Sequence, residues 1–291
     1  MNDDLARLRA TLLKIVELAS AAADGLAPGA DLSGFKVCVP KFLPRAQWVA
    51  AAQKAVEINP ANHPPVAQMR VLAPGVTMTQ ERIAVLTSKR WHSDGVRLTV
   101  GFLDNAPPDL RTRIVSHMNA WNKTANVQFV QSSVDPQVRI ARTAGDGYWS
   151  YVGTDILNIP VDQPTMNLDS FSMSTPESEY HRVVRHETGH TLGFPHEHMR
   201  GELVARIDPA KAIAYFGATQ GWTAEEVRQQ VLTPLEDSSL LGTPHADQNS
   251  IMCYQIPGTL TRDGQPIIGG LDIDQSDFAF AASIYPKPRT V

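Results

Sequence analysis

His186-Glu187-Thr188-Gly189-His190-Thr191-Leu192-Gly193-Phe194-Pro195-His196 is the stretch on which the reading of this chain turns. His186 and His190 are four residues apart, so on a helix both imidazoles leave the same face. Two such nitrogens can bind one zinc ion at about 2.0–2.1 Å. Glu187, beside the first ligand, reaches water on the metal without being a ligand itself. Gly193 stands where the helix must stop, and a glycine there can take positive φ and swing the chain back. That turn returns His196 as a third ligand. Three histidines leave a fourth position for water, the arrangement of a catalytic zinc; a structural zinc is usually closed by four protein ligands. A bare His-Glu-x-x-His arises by chance in roughly one chain in a hundred of this length, and fixing Gly193 and His196 lowers that several hundred-fold. The competing reading is a set of solvated helix histidines with an ordinary glycine cap. Upstream, Thr175-Pro176 predicts an N-cap followed by proline in the first turn, with Glu177 and Glu179 near the positive end of the helix dipole.

A second signal lies in Ser250-Ile251-Met252-Cys253-Tyr254. An extended histidine motif followed by a methionine turn is the mark of metzincin proteases. Within that clan the chain most resembles the astacin-like branch. The resemblance rests on Gly193-Phe194-Pro195-His196-Glu197-His198-Met199-Arg200 and on the Ser250 to Tyr254 turn. It is extended by Leu98-Thr99-Val100-Gly101-Phe102, by Trp149-Ser150-Tyr151-Val152-Gly153, and by the closing Leu271-Asp272-Ile273-Asp274 to Tyr285-Pro286. The cysteines of that branch's disulfides are absent, and residues 201–249 look like a helical insertion, with Trp222-Thr223-Ala224-Glu225-Glu226 as a helix start.

The resemblance implies an α+β, metzincin-like catalytic domain. A twisted mixed β-sheet and two long helices would form an upper part. An irregular C-terminal subdomain would carry the methionine turn and a C-terminal helix near 274–284. It implies one catalytic Zn2+ held by His186, His190 and His196, with Glu187 as general base. Met252 would be an apolar floor beneath the metal, and Tyr254 an extra ligand or an oxyanion donor. Thr165-Met166-Asn167-Leu168 is expected to be the edge strand that pairs with an extended substrate.

Outward from the motif, Val96, Leu98, Val100 and Phe102 alternate with polar or small residues as a half-buried strand does. Pro107-Pro108 opens a helix with Leu110, Ile114, Met118 and Trp121 on one face. Val127/Phe129 and Val138/Ile140 mark short strands, and Tyr148 to Gly153 and Thr165 to Leu168 read as extended. Ahead of Trp91 the texture is helical: Leu5, Leu8, Leu12, Ile15 and Ala19 share a face, and residues 44–57 and 79–88 read as further helices. The chain therefore divides into a mainly helical N-terminal segment, residues 1–88, and a protease domain, residues 91–286. The first is a removable pro-segment, a permanent helical domain or a partner-binding module.

The 291 residues are 43% hydrophobic, with 26 basic and 30 acidic side chains and a net charge of −4. That is enough chain to bury a core without staples, and it offers no electrostatic reason to expect nucleic acid. There is no stretch of roughly 18 apolar residues to span a membrane. The acidic start Met1-Asn2-Asp3-Asp4 does not resemble a secretory signal; similar enzymes are mostly exported, so the compartment stays open between secreted and cytoplasmic. The expected partner is a protein or peptide substrate. Two cysteines, Cys38 and Cys253, make at most one disulfide. Cys38 is a small buried filler or a soft thiolate plugging the open metal position. Glu197 sits near the metal, pairs with a new N-terminus, or is solvated. His181, His198 and His245 lack motif spacing and read as surface or hydrogen-bonded histidines. The leading function is zinc endopeptidase. The alternatives are a catalytically idle binding protein of this fold and a zinc hydrolase of non-peptide amides or esters.

Overall fold

A computed structural model of the chain describes residues 38, 41–64, 66, 79–80, 83–84, 87–234 and 246–288. The helix expected at residues 5–19 and His245 lie outside the described residues.

Five strands form one sheet: β1 (Val96–Phe102), β2 (Val127–Gln131), β3 (Val138–Ala141), β4 (Tyr148–Ser150) and β5 (Met166–Leu168). Their order is β2-β1-β3-β5-β4. The first four in that order run parallel, and β4 is antiparallel to β5. The alternation seen in residues 96–102 is that of a strand with its apolar side buried: Val96, Leu98 and Val100 are all but inaccessible. The mixed sheet and the helices around it make the α+β arrangement expected.

Helix α1 is Trp48–Ile58 and α2 is Pro108–Met118. The third, α3, runs through Glu177–Glu179, a π stretch Tyr180–Val184 and Arg185–Thr191. Four more follow: α4 (Gly201–Val204), α5 (Pro209–Gln220), α6 (Ala224–Val227) and α7 (Gln275–Ile284). The insertion is helical as read, and α6 starts with a capping box between Thr223 and Glu226, in which each satisfies the other's end of the helix. The start of α3 differs from the reading. Its N-cap is Pro176, because the Thr175 hydroxyl accepts the Ser172 amide and so closes the preceding turn. Among the described residues no helix is long and apolar enough to cross a membrane.

The main core lies between the sheet and α2, α3 and α7. Trp121, Tyr180, Tyr285, Phe171 and Phe194 are its largest fully buried side chains among the described residues. Trp121 Nε1 donates to the Arg185 carbonyl and Trp91 Nε1 to the Thr191 carbonyl, so two indoles pin α3 at either end of its α-helical part. A second cluster gathers Phe216, Val227, Val231, Ile256 and Leu260 around Tyr254.

The edge-strand expectation for Thr165, Met166, Asn167 and Leu168 is corrected. Met166–Leu168 is β5, paired with β3 on one side and β4 on the other. All four residues are fully buried, and the Asn167 amide is used on Thr143 and Gly147 backbone. The physical reason is that strand alternation marks a strand but not its place in the sheet. The chain passes from β4 back into the sheet, which leaves the earlier strand, Tyr148–Ser150, at the edge. That edge is covered by the N-terminal segment. Cys38 bridges Tyr148 and Lys41 bridges Tyr151, both in parallel sense, and the Lys41 amide donates to the Ser150 carbonyl. The same segment is clamped further on by two asparagines. Asn59 Nδ2 donates to the Trp91 carbonyl, Asn62 Nδ2 donates to the Arg90 carbonyl, and Asn62 Oδ1 accepts the Arg90 amide.

Candidate active site

The three histidines meet at one point. His186 Nε2 lies 3.1 Å and His190 Nε2 3.0 Å from His196 Nε2. His186 Nδ1 is 2.6 Å from the Ile251 carbonyl and His190 Nδ1 is 2.8 Å from the Phe194 carbonyl. A carbonyl only accepts, so in both rings Nδ1 carries the proton and Nε2 presents its lone pair inward. Lone pairs converging at this distance repel unless a cation stands between them. Metal–nitrogen bonds of about 2.0–2.1 Å set nitrogens roughly 3.3–3.4 Å apart in a tetrahedron, close to the spacing found. Burial, reinforced by the neighbouring imidazoles, pushes His186 and His196 well below the usual range, and burial takes His190 down to about 4. All three are therefore neutral, the form that binds metal.

Two glycines make this geometry possible. Gly193 has φ +90°, and its amide bonds back to the His190 carbonyl while that of Phe194 bonds to Gly189. This turn ends α3 and sends His196 back. Gly189, inside the motif, faces the Met252 sulfur, with which a Cβ would collide. Met252 thus packs directly against the helix at Gly189. Its carbonyl accepts the Glu197 amide.

Glu187 is fully buried, and among the described residues its oxygens face no hydrogen-bond donor other than the neighbouring Cys38 thiol. Burial lifts its pKa to about 8, opposed by the Cys38 thiol and Arg182. The Tyr254 hydroxyl likewise has no partner among the described residues but the adjacent Cys38 thiol. Its ring stacks on His198 and leans on His196, at centroid distances of 4.1 and 4.2 Å. Burial and the nearby Cys38 and Glu187 keep it a neutral phenol. A void of about 30 Å³ between Glu187, Tyr254, Cys38 and His186 has room for one water.

Cys38 completes the cluster. Its sulfur and the histidine nitrogens all lie within 4.8 Å of one another. Here it is a buried thiol, its pKa raised by burial and by Glu187. Cys38 is buried in an apolar cluster, as a filler would be, and its sulfur also faces the three histidine nitrogens. Glu197 accepts the Asp247 amide and lies 3.9 Å from Arg200. His198 is buried and bonded to the Gln230 carbonyl, and His181 is bonded to Asp272. Both are hydrogen-bonded histidines, as read.

The profile of the Astacin peptidase family matches residues 84–259. The chain belongs to the astacin family of zinc metallopeptidases. Zinc metalloproteinase nas-27 of Caenorhabditis elegans is 33% identical over 130 residues, 44% of this chain and 27% of that protein. The chain thus spans about a quarter of the length of that curated relative. Among solved structures, one of myroilysin is 31% identical with a TM-score of 0.65, covering 69% of this chain and 97% of that one. A crystal structure of myroilysin is 32% identical with a TM-score of 0.54, covering 69% and 87%. Zinc, the astacin metal, fits the donor set: three neutral imidazoles, two of them held in the ligating tautomer by backbone carbonyls.

One supporting residue escaped the sequence reading. Asp277, on α7, accepts the Ser250 hydroxyl at 2.6 Å and the Ile251 amide at 2.9 Å. It is also the far end of a capping box with Asp274, and that three-residue spacing of carboxylates was the visible signal. The Ser250 hydroxyl accepts the Met252 amide, so the C-terminal helix organises the whole turn.

Proposed function

We propose that this astacin is a zinc-dependent endopeptidase with Glu187 as general base, and that the form described here is latent, with Cys38 in the position substrate must take. The observation that supports the reading is the convergence of three buried Nε2 atoms, two of them held in the ligating tautomer, beside a buried carboxylate. The idle-protein alternative requires a lost ligand or glutamate, and all four are assembled.

When bound, zinc supplies Lewis acidity, lowering the pKa of water and polarising a carbonyl. The remaining steps belong to the chain's own residues. Glu187 takes the proton of the attacking water and returns it to the leaving amine. Its place beside the three histidines, with no oxygen engaged by a described backbone group, leaves the carboxylate free to face that water. The Tyr254 hydroxyl donates to the oxyanion as the carbonyl becomes tetrahedral. An extended peptide adds to the β4 edge, Tyr148–Ser150, by main-chain hydrogen bonds.

That edge is taken by the N-terminal segment, and Cys38 would be the fourth donor to a bound zinc. Once deprotonated on a bound zinc, Cys38 would with the three imidazoles supply four protein donors, the number typical of a non-catalytic zinc. Residues 1–88 then act as a pro-segment over the protease domain, residues 91–286, and withdrawal of Cys38 opens the fourth position.

Digestion of a protein substrate by wild type and Glu187→Ala, with zinc measured on both, tests the mechanism. The expected result is zinc in both and turnover only in wild type; full activity in Glu187→Ala sinks it. Latency is tested with the unprocessed chain. Cys38→Ser is expected to digest substrate without processing, and its cobalt form to lack sulfur-to-metal charge-transfer absorption. A wild-type cobalt spectrum equally free of that band overturns it.

A further inference from the structure

A second group of metal-binding side chains lies outside the site just described. His117, on α2, and His181, in the π stretch of α3, both face one oxygen of Glu177, at the start of α3. His117 Nε2 is 3.2 Å and His181 Nε2 3.4 Å from Glu177 Oε1. The three donors fall within 4.8 Å of one another. Two imidazoles and a carboxylate are a zinc-type donor set, and donor spacings of roughly 3.3–3.4 Å suit a tetrahedral ion.

The surroundings are arranged as metal-site supports are. His181 Nδ1 is 2.8 Å from Asp272 Oδ2, so a carboxylate holds the far side of the ring and turns Nε2 toward Glu177, as in carboxylate–histidine–metal triads. Asp272 is itself held by Arg185 Nη1 at 2.6 Å. The other oxygen of Glu177 is held by Arg113 Nη2 at 2.5 Å, which leaves Oε1 for a metal. His117 is buried, with no partner on Nδ1 among the described residues, so of the two rings only His181 has a carboxylate behind it; burial keeps His117 below the usual imidazole range. Single π turns inside α-helices recur at functional positions, and His181 sits in this one. An open depression of about 660 Å³, lined by Arg113, His117, Met173 and Glu177 among others, gives access from solvent.

We propose that His117, Glu177 and His181 form a second divalent-metal site, zinc by its donor chemistry, that ties α2 to the helix bearing His186 and His190. A water fills the fourth position. Arg185 Nη2, 3.2 Å from His181 Nε2, gives up that contact when metal enters and keeps its shorter bond to Asp272. Two arginines already balance the two carboxylates, so the ion meets no net negative charge. The site therefore binds more weakly than the three-histidine cluster and empties first under a chelator.

The inference stands apart from the peptidase reading, and one metal count separates them. The full chain is dialysed against buffer holding micromolar free zinc, and bound zinc is measured for wild type, His181→Asn, Glu177→Gln, His190→Ala and the double variant His181→Asn/His190→Ala. The expected result is two ions in wild type, one in each single variant and none in the double. Added zinc also raises the Tm of the one-zinc wild type, and that rise disappears in His181→Asn and Glu177→Gln. A wild-type count of one, unchanged by His181→Asn and by Glu177→Gln, overturns the proposal. Loss of one ion on His181→Asn with none lost on His190→Ala keeps this site and removes the catalytic one. Should His181→Asn not fold, Glu177→Gln, an exposed position with an isosteric side chain, decides the count.

Discussion

The Ile251 carbonyl accepts a 2.6 Å hydrogen bond from His186 Nδ1, so the turn below the helix decides which nitrogen of the first metal ligand faces the metal. Asp277 holds that turn from behind through the Ser250 hydroxyl and the Ile251 amide. A chain of support runs from α7 through the methionine turn to His186 without passing through solvent.

Asp277→Ala breaks this chain at its base. A buried hydroxyl and a buried amide lose their acceptor, each at about 1–3 kcal/mol. His186 loses its fixed orientation, and removing such support typically weakens metal binding about 10–100-fold. Chelator competition and thermal unfolding measure the two effects. Unchanged zinc affinity in a folded variant shows that the turn does not position the ligand.

The three-histidine cluster was legible in the sequence because helical spacing and a glycine stop are local properties. Three of the strands and α2 were legible for the same reason: their apolar periodicity does not depend on distant residues. The edge of the sheet was not. Thr165–Leu168 and Tyr148–Gly153 read alike as extended segments, and their order depends on which strand the chain folds inside. Cys38 was a thiol of undecided role because nothing in Val37-Cys38-Val39 records that the segment lies along Tyr148. Asn59 and Asn62 resemble turn residues in sequence, yet they bind the backbone of residues 90 and 91 across the chain. Long-range pairings of polar groups leave no local pattern.

Gly193→Ala separates backbone strain from steric conflict when set beside Gly145→Ala. Both glycines have positive φ. A Cβ at Gly145 meets nothing within 4 Å, whereas one at Gly193 lies 2.9 Å from the Lys89 carbonyl oxygen and 3.2 Å from Arg90 Cα. Gly145→Ala should cost about 1 kcal/mol from φ alone. Gly193→Ala should cost several kcal/mol, because backbone must also move. It should lower zinc content as well, since the same turn returns His196. Equal losses in the two variants contradict this account.

Asp155 gives a pH dependence with a definite sign. Burial lifts its carboxyl from 3.8 to about 6, against the pull of Lys89, whose ammonium lies 3.6 Å away. The folded state therefore holds this proton more tightly than the unfolded chain does. Between pH 4 and pH 6 the folded form binds more protons, so its stability falls as pH rises through that window. The difference is about 3 kcal/mol at most. Denaturant unfolding of wild type and Asp155→Asn at pH 4 and pH 7 isolates it. Wild type should lose stability relative to the variant on going from pH 4 to pH 7, and a gain contradicts the assignment.

Tyr254→Phe tests whether the hydroxyl or the ring matters. The ring stacks on His198 and contacts His196, and phenylalanine keeps both contacts. Among the described residues the hydroxyl faces only the weakly bonding Cys38 thiol, so removing it should change Tm little. If it donates to the developing oxyanion, kcat falls about 100- to 1000-fold, as for other such donors, while KM changes little. Zinc content separates this role from metal ligation. An inactive variant with full zinc points to the oxyanion, while one that binds zinc markedly more weakly points to Tyr254 as a ligand. Activity at the wild-type level removes Tyr254 from the mechanism and leaves the ring as packing for His196.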